Sequence, residues 1–292
     1  MNKKKIDIPN VFIHIFFAVL SLCVFYPFWC IFSASLSTSE EIATIGFSLL
    51  PKDPSFEAYK SLFKASKQIL DAFGTTLFVS VCGSFLGVMV SSSYAYALSR
   101  KTFKLRRVLA FIATFTMYFS GGMAASYIVN VNLLHLKNNI LILILPGAFS
   151  VMHMVVIRSF FDNLPHELIE SAKIDGANEY RTYFSIMLPL AKPALATVTL
   201  MLFVSYWNAY YAAMMYMDGN KYVTLQLLLT RMLDQAEFIK EFASMGMAVE
   251  IEAPSEAMRM AMCMITVFPM LCIFPFFQKY FVKGMAIGSV KG

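Results

Sequence analysis

Charged residues are scarce in this 292-residue sequence: they make up 14% of it, against 58% hydrophobic residues. A soluble domain carries roughly 25% charged residues. With a mean hydropathy of +0.64, the shortage excludes a soluble enzyme, a disordered chain and a coiled coil. No GxxxxGKS or GxxxxGKT phosphate loop occurs, and the nearest string is Asp218-Gly-Asn-Lys221. The chain therefore hydrolyses no nucleotide by itself. No CxxC or HxxxH spacing occurs, and Cys23, Cys30, Cys82, Cys263 and Cys272 all lie in apolar runs. That excludes a zinc site and a disulfide framework. There is no internal repeat or inverted symmetry, which weighs against a secondary carrier.

What the sequence does have is long apolar runs. A spanning helix needs about 20 apolar residues, because its backbone must be hydrogen-bonded within the segment. Six stretches meet or approach this, over about 11–33, 72–99, 108–131, 138–157, 193–217 and 258–280. None of the six holds an Asp or Glu, so a carrier driven by protons or sodium lacks its coupling acids. No acid, base or metal-ligand cluster converges near them for membrane enzymology either.

Lysine and arginine set the orientation. With the N-terminus in the cytoplasm, the inner side holds 15 basic and 6 acidic residues and the outer side 9 and 12. Both termini then lie inside, and the net charge of +6 is topology rather than a nucleic-acid surface. The expectation is an all-α membrane protein, a single transmembrane domain over 1–292 with outer loops at 34–71 and 218–257. Within the first outer loop, Asp53-Pro54 predicts a helix start. Phe56, Tyr59, Phe63 and Leu70 predict its apolar stripe.

The inner loop 158–192 is long and patterned. Pro165 favours a helix start, Glu167 and Glu170 share a face near its positive end, and Gly176 fits a left-handed helix stop. A second helix is expected, with Tyr180, Phe184, Met187 and Leu188 as its apolar stripe and Pro189 breaking it before the fifth span. Two short helices on a glycine turn make a stiff knob.

Glu170-Ser171-Ala172, three residues, Gly176, nine residues, then Ile186-Met187-Leu188-Pro189 resembles the EAA loop of ABC importer permeases. Ser171 stands where that family has alanine. The longer run Glu170-Ser-Ala-Lys-Ile-Asp-Gly-Ala177 resembles the sugar-importer form. The tail Lys283–Gly292 resembles the smaller permease of maltose-type transporters. Phe276–Gly284 is similar to the LplC-like permeases for complex saccharides.

The resemblance implies a type I importer permease with six spans and both termini cytoplasmic. It implies a second homologous permease, two ATPase subunits docked on the loops, an extracytoplasmic sugar-binding protein, and residence in a prokaryotic cell membrane. ATP and Mg would sit on the ATPase, with no cofactor or metal on this chain, which is not an enzyme. Glu167, Glu170, Ser171, Ala172, Asp175, Gly176, Ala177, Tyr180, Phe184 and Pro189 become the ATPase-coupling candidates. The cargo implied is a carbohydrate, an oligosaccharide or polysaccharide fragment. The alternatives are an ABC permease for a non-sugar solute and a secondary carrier.

The fifth stretch carries Tyr206-Trp207-Asn208 and Tyr210-Tyr211. Sugars stack their CH faces on aromatic rings and bond hydroxyls to amides. In one continuous helix Trp207 and Tyr211 share a face. Those five residues are the candidate substrate path, with an aromatic interface belt as the alternative. Gly83 and Gly87 read as close helix packing. Gly121-Gly122 reads as either a hinge or a close crossing. The acidic run 250–256 is a candidate contact for the binding protein or a solvated loop.

Overall fold

The computed structural model describes residues 8–64, 66–219, 221–245 and 254–289, and every regular element among them is helical. Three helices are long and apolar enough to cross a membrane, over Asn10–Ser35, Lys67–Ser99 and Glu256–Gln278. Two further candidates are bent: Arg106–Tyr118 with Gly122–Leu133 at 116°, and Glu179–Leu190 with Lys192–Trp207 at 80°. The described residues thus hold three to five candidate spans.

The chain divides into two compact units, residues 1–69 with 229–269, and residues 70–228 with 270–292. In the first, α1 (Ile8–Ser35) continues through Pro27 and holds Trp29 Nε1 on the Leu49 carbonyl at 2.8 Å. Thr38 caps α2 (Ser39–Ile45) by accepting from the Glu41 amide. Glu41 is buried, and its carboxylate accepts from the Lys52 amide at 2.8 Å, which folds the following loop back. Helix α3 (Glu57–Lys64) starts later than Asp53-Pro54 predicts, because Ser55 Oγ takes the Glu57 amide instead. It buries Ala58 and Leu62 and leaves Phe56 and Phe63 exposed, so the expected aromatic stripe is not its packed face.

The second unit is built on α4 (Ser66–Ser99), unbroken from residue 70 onwards. Its glycines are close contacts: a Cβ on Gly83 would lie 2.6 Å from the Tyr206 ring, and one on Gly87 would lie 2.9 Å from Leu202. The stretch 108–131 is not one straight helix. α5 (Arg106–Tyr118) ends, and α6 (Gly122–Ile128) restarts after the bend, running on into a π turn at Val129–Leu133. Gly122 has φ +77° and open space where a side chain would be, so the glycine pair makes a backbone turn and not a close crossing.

The stretch 138–157 is also interrupted. A 3₁₀ turn at Ile140–Leu143, capped by Asn139, leads through turns to α7 (Val151–Asp162). The segment expected as an outer loop at 218–257 contains a 20-residue helix, Leu225–Ser244.

Candidate functional site

The loop 158–192 folds as two short helices about a glycine. Pro165 precedes α8 (His166–Ile174), and Ser171 Oγ bonds the Glu167 carbonyl at 2.8 Å. The Ala177 amide returns to the Ala172 carbonyl at 2.9 Å, and the Gly176 amide to Lys173 at 3.1 Å. Those two bonds with Gly176 at φ +77° are a Schellman closure. Asp175 is exposed at the end of α8. Asn178 then caps α9 (Glu179–Thr182), its side chain accepting from the Arg181 amide at 2.8 Å. A π turn at Tyr183–Met187 leads into α10 (Leu188–Leu190). The chain bends at Ala191, two residues beyond Pro189, into α11 (Lys192–Trp207). Proline lacks an amide and crowds the preceding turn, which suits a π turn just before it.

The packed face of the second helix is not the expected one. Tyr183 and Met187 are buried, at 5% and 1% exposure, whereas Tyr180 and Phe184 are 77% and 52% exposed. Tyr183 Oη lies 2.7 Å from Ser92 Oγ and 3.2 Å from Ser93 Oγ, and its ring packs on Tyr96 at 5.1 Å. So Tyr183, not Tyr180 or Phe184, holds this helix to α4. Tyr180 and Phe184 instead join Leu168 and Ile174 as exposed apolar side chains on the knob. Glu167 is exposed, and Glu170 lines a 170 Å³ cleft with Arg100, Lys101 and Lys173. Ala172 is buried beneath α8.

Glu179 gathers charge that the sequence reading missed. Its carboxylate accepts from Tyr96 Oη and from Arg100 Nε at 3.2 Å, and Lys173 Nζ lies 3.7 Å away. Partial burial raises its pKa. The Tyr96 hydrogen bond and the charges of Arg100 and Lys173 outweigh that and hold the carboxyl below the ordinary glutamate range.

A second feature is a cavity of 580 Å³ between α6, the 3₁₀ turn, α11 and α12 (Tyr211–Tyr216). Ser126, Asn130, Ser205, Tyr206 and Tyr216 supply its polar atoms, glycines and aliphatic residues supply the rest, and no lining residue is charged. Tyr206 is fixed by donating to the Ile144 carbonyl at 2.7 Å. Asn130 Nδ2 bonds Tyr216 Oη at 3.2 Å, and Tyr216 stacks on Tyr127. The rim continues as Asn138 and Asp218 in paired hydrogen bonds, with Lys137 3.2 Å from Asp218. The Asn138 and Lys137 hydrogen bonds hold the Asp218 carboxyl below its usual range.

Of the five expected path residues, only Tyr206 lines this cavity. Trp207 is 1% exposed, stacked on Phe203 and edge-on to Phe73, so it lies in the helix packing and away from this cavity. Asn208, Tyr210 and Tyr211 are exposed outside the cavity lining, and Tyr211 Oη contacts Met123 Sδ. The shared face assumed for Trp207 and Tyr211 requires a continuous helix, but α11 ends at Trp207 and α12 begins at Tyr211. Asn130 and Tyr216 were missed. Each is a polar or aromatic residue near the end of an apolar run, a weak signal alone.

Comparison with known proteins places these features in a family. The family described as "Binding-protein-dependent transport system inner membrane component" matches residues 83–287. The chain is 36% identical to the polygalacturonan/rhamnogalacturonan transport system permease protein YtcP of Bacillus subtilis, over 97% of this chain and 98% of that one. It is 34% identical to the protein LplC of the same organism, over 98% and 95%. Among solved structures it is similar to a bacterial ABC transporter involved in the import of the acidic polysaccharide alginate. That match has a TM-score of 0.81 and 29% identity, covering 96% of this chain and 99% of that one.

Proposed function

The chain belongs to the binding-protein-dependent transport system inner membrane component family, among the carbohydrate permeases of ABC transporters, and from that premise we propose that it imports an oligosaccharide or polysaccharide fragment as one of two homologous permease subunits. Separate ATPase subunits drive it, and an extracytoplasmic binding protein delivers the cargo. The full-length similarity to saccharide permeases carries the reading. The reading extends to six crossings with both termini cytoplasmic, residues 138–157 forming the interrupted fourth, and to one permease domain in the assembled transporter.

The coupling candidates are Glu167, Glu170, Ser171, Ala172, Asp175, Gly176, Ala177, Tyr180, Phe184 and Pro189. A docking element has to be stiff and has to offer contact surface. The Schellman closure and the Asn178 cap supply the stiffness, and the exposed Leu168, Ile174, Tyr180 and Phe184 supply apolar contact around Glu167. The cavity suits neutral saccharide chemistry. Ser126, Ser205 and Asn130 offer hydrogen bonds to hydroxyls, and Tyr206 and Tyr216 offer aromatic surface. With no charge in its lining, it gives a uronate carboxylate no counter-ion.

The test is ATP hydrolysis by the reconstituted assembly, with its binding protein, against oligogalacturonides, alginate oligomers, arabino-oligosaccharides, amino acids and phosphate. Stimulation by a saccharide is expected. Stimulation only by amino acids or phosphate would keep the permease and overturn the cargo.

A further inference from the structure

A half-exposed glutamate in a cytoplasmic loop is usually a solvated charge, with little fixed geometry. Glu179 differs. It is the first residue of α9, and three groups from two other helices converge on it: Tyr96 and Arg100 from the end of α4, and Lys173 from α8. Arg100 is itself only 11% exposed. It donates Nη2 to Tyr96 Oη at 2.8 Å and lies 4.7 Å over the Tyr96 ring. Tyr96 Oη also reaches the Glu179 carbonyl at 3.3 Å. One turn further on, Tyr183 is bound to Ser92.

We propose that Glu179 is a positioning residue, the hub of a joint that makes α4 move as one piece with the 166–190 loop. The inference rests on the reading of that loop as the ATPase-docking element. α4 is unbroken between Tyr96 in this joint and Gly83, about 13 residues away, roughly 20 Å at about 1.5 Å per residue. There it grips the cavity wall: Gly83 abuts the Tyr206 ring, and Gly87 abuts Leu202. Displacement of the loop is therefore delivered to the cavity through a rigid element. The charge matters because charge-assisted hydrogen bonds are stronger than neutral ones. Without the carboxylate, the mostly buried Arg100 guanidinium loses its anionic partner.

The test uses the assembled transporter in proteoliposomes, its five native cysteines replaced by serine, with Ser205→Cys reporting from the cavity lining. Vanadate with ATP traps the closed ATPase, and the rate of labelling by a soluble thiol reagent is read with and without trapping. In the Glu179 background the labelling rate is expected to change on trapping. With Glu179→Gln the same amount of nucleotide is trapped, but the change in rate shrinks about fivefold, the lower end of typical coupling between sites. The charge-swapped pair Glu179→Arg with Arg100→Glu restores part of it, a rescue that a merely structural role would not give.

Should Glu179→Gln fail to assemble, Tyr96→Phe removes one hydrogen bond and keeps the ring, and it must shrink the change in the same direction. A labelling change in Glu179→Gln or Tyr96→Phe equal to that of the unmodified joint overturns the proposal. So does a rate that ignores trapped nucleotide when the joint is intact. If the intact chain binds no ATPase, the docking reading itself fails, and the joint fails with it.

Discussion

Substituting Gly83 by alanine tests whether α4 and α11 meet as tightly as the structure has it. The new Cβ would lie 2.6 Å from Cε2 and Cζ of Tyr206 and 2.9 Å from Cδ2. The ring has no easy retreat. On its other side stands Gly147, where a Cβ would be 2.9 Å from the hydroxyl, and that hydroxyl is committed to the Ile144 carbonyl at 2.7 Å. Overpacking of this kind costs about 1–3 kcal/mol. Displacing the ring forfeits a buried hydrogen bond, about 1 kcal/mol more. Alanine regains about 1 kcal/mol of helix propensity over glycine. Gly83→Ala should therefore destabilise by about 1–3 kcal/mol, read by unfolding of the purified transporter in mixed micelles. In a Tyr206→Leu background the obstructing ring atoms are gone, and the cost of Gly83→Ala should fall below about 1 kcal/mol. If the two substitutions add to within about 0.5 kcal/mol, the close contact is wrong.

Gly176→Val forces a β-branched residue to φ +77°. It should cost about 1–2 kcal/mol of loop stability, visible as faster hydrogen exchange over 172–182. Trp207→Ala should act as a core truncation, lowering stability by about 3–5 kcal/mol. In whatever transporter survives, the apparent affinity for saccharide should stay unchanged, whereas Asn130→Ala should weaken it. Reversal of that pattern in a binding titration would return Trp207 to the path. Because Glu179 is held below the ordinary glutamate range, its contribution to the fold is fully present above about pH 4.3 and is lost as pH falls through the lower folded value. Exchange protection at residues 179–183 should drop in that acid window, and Glu179→Gln should flatten the drop.

The inner loop was legible because its signals are local. A proline start and a glycine in the left-handed region act within four residues of themselves; the Asn178 cap, equally local, was not read. Which side of the second helix packs was not legible. Tyr180, Tyr183 and Phe184 are all aromatic, and only the serines of α4 decide that Tyr183 turns inward. The aromatic cluster after Tyr206 misled for a related reason: helical periodicity holds only while the helix lasts, and α11 stops at Trp207. The helix at Leu225–Ser244 carried a usable signal, a run without glycine or proline starting after Thr224. Thr224 Oγ1 accepts from the Leu227 amide at 3.3 Å. Its acidic residues drew the reading towards a loop. The tail at 290–292 and most of the acidic run at 250–256 lie outside the described residues.

Under the proposed function, this membrane chain moves a saccharide inward using ATP hydrolysed on other subunits. The most direct measurement is accumulation of labelled oligosaccharide by proteoliposomes holding this chain, its partner permease, ATPase and binding protein. Glu170→Lys provides the uncoupled control. Accumulation is expected to require ATP on the ATPase side and to be lost with Glu170→Lys. Accumulation driven by a proton or sodium gradient, with no ATPase present, would contradict it.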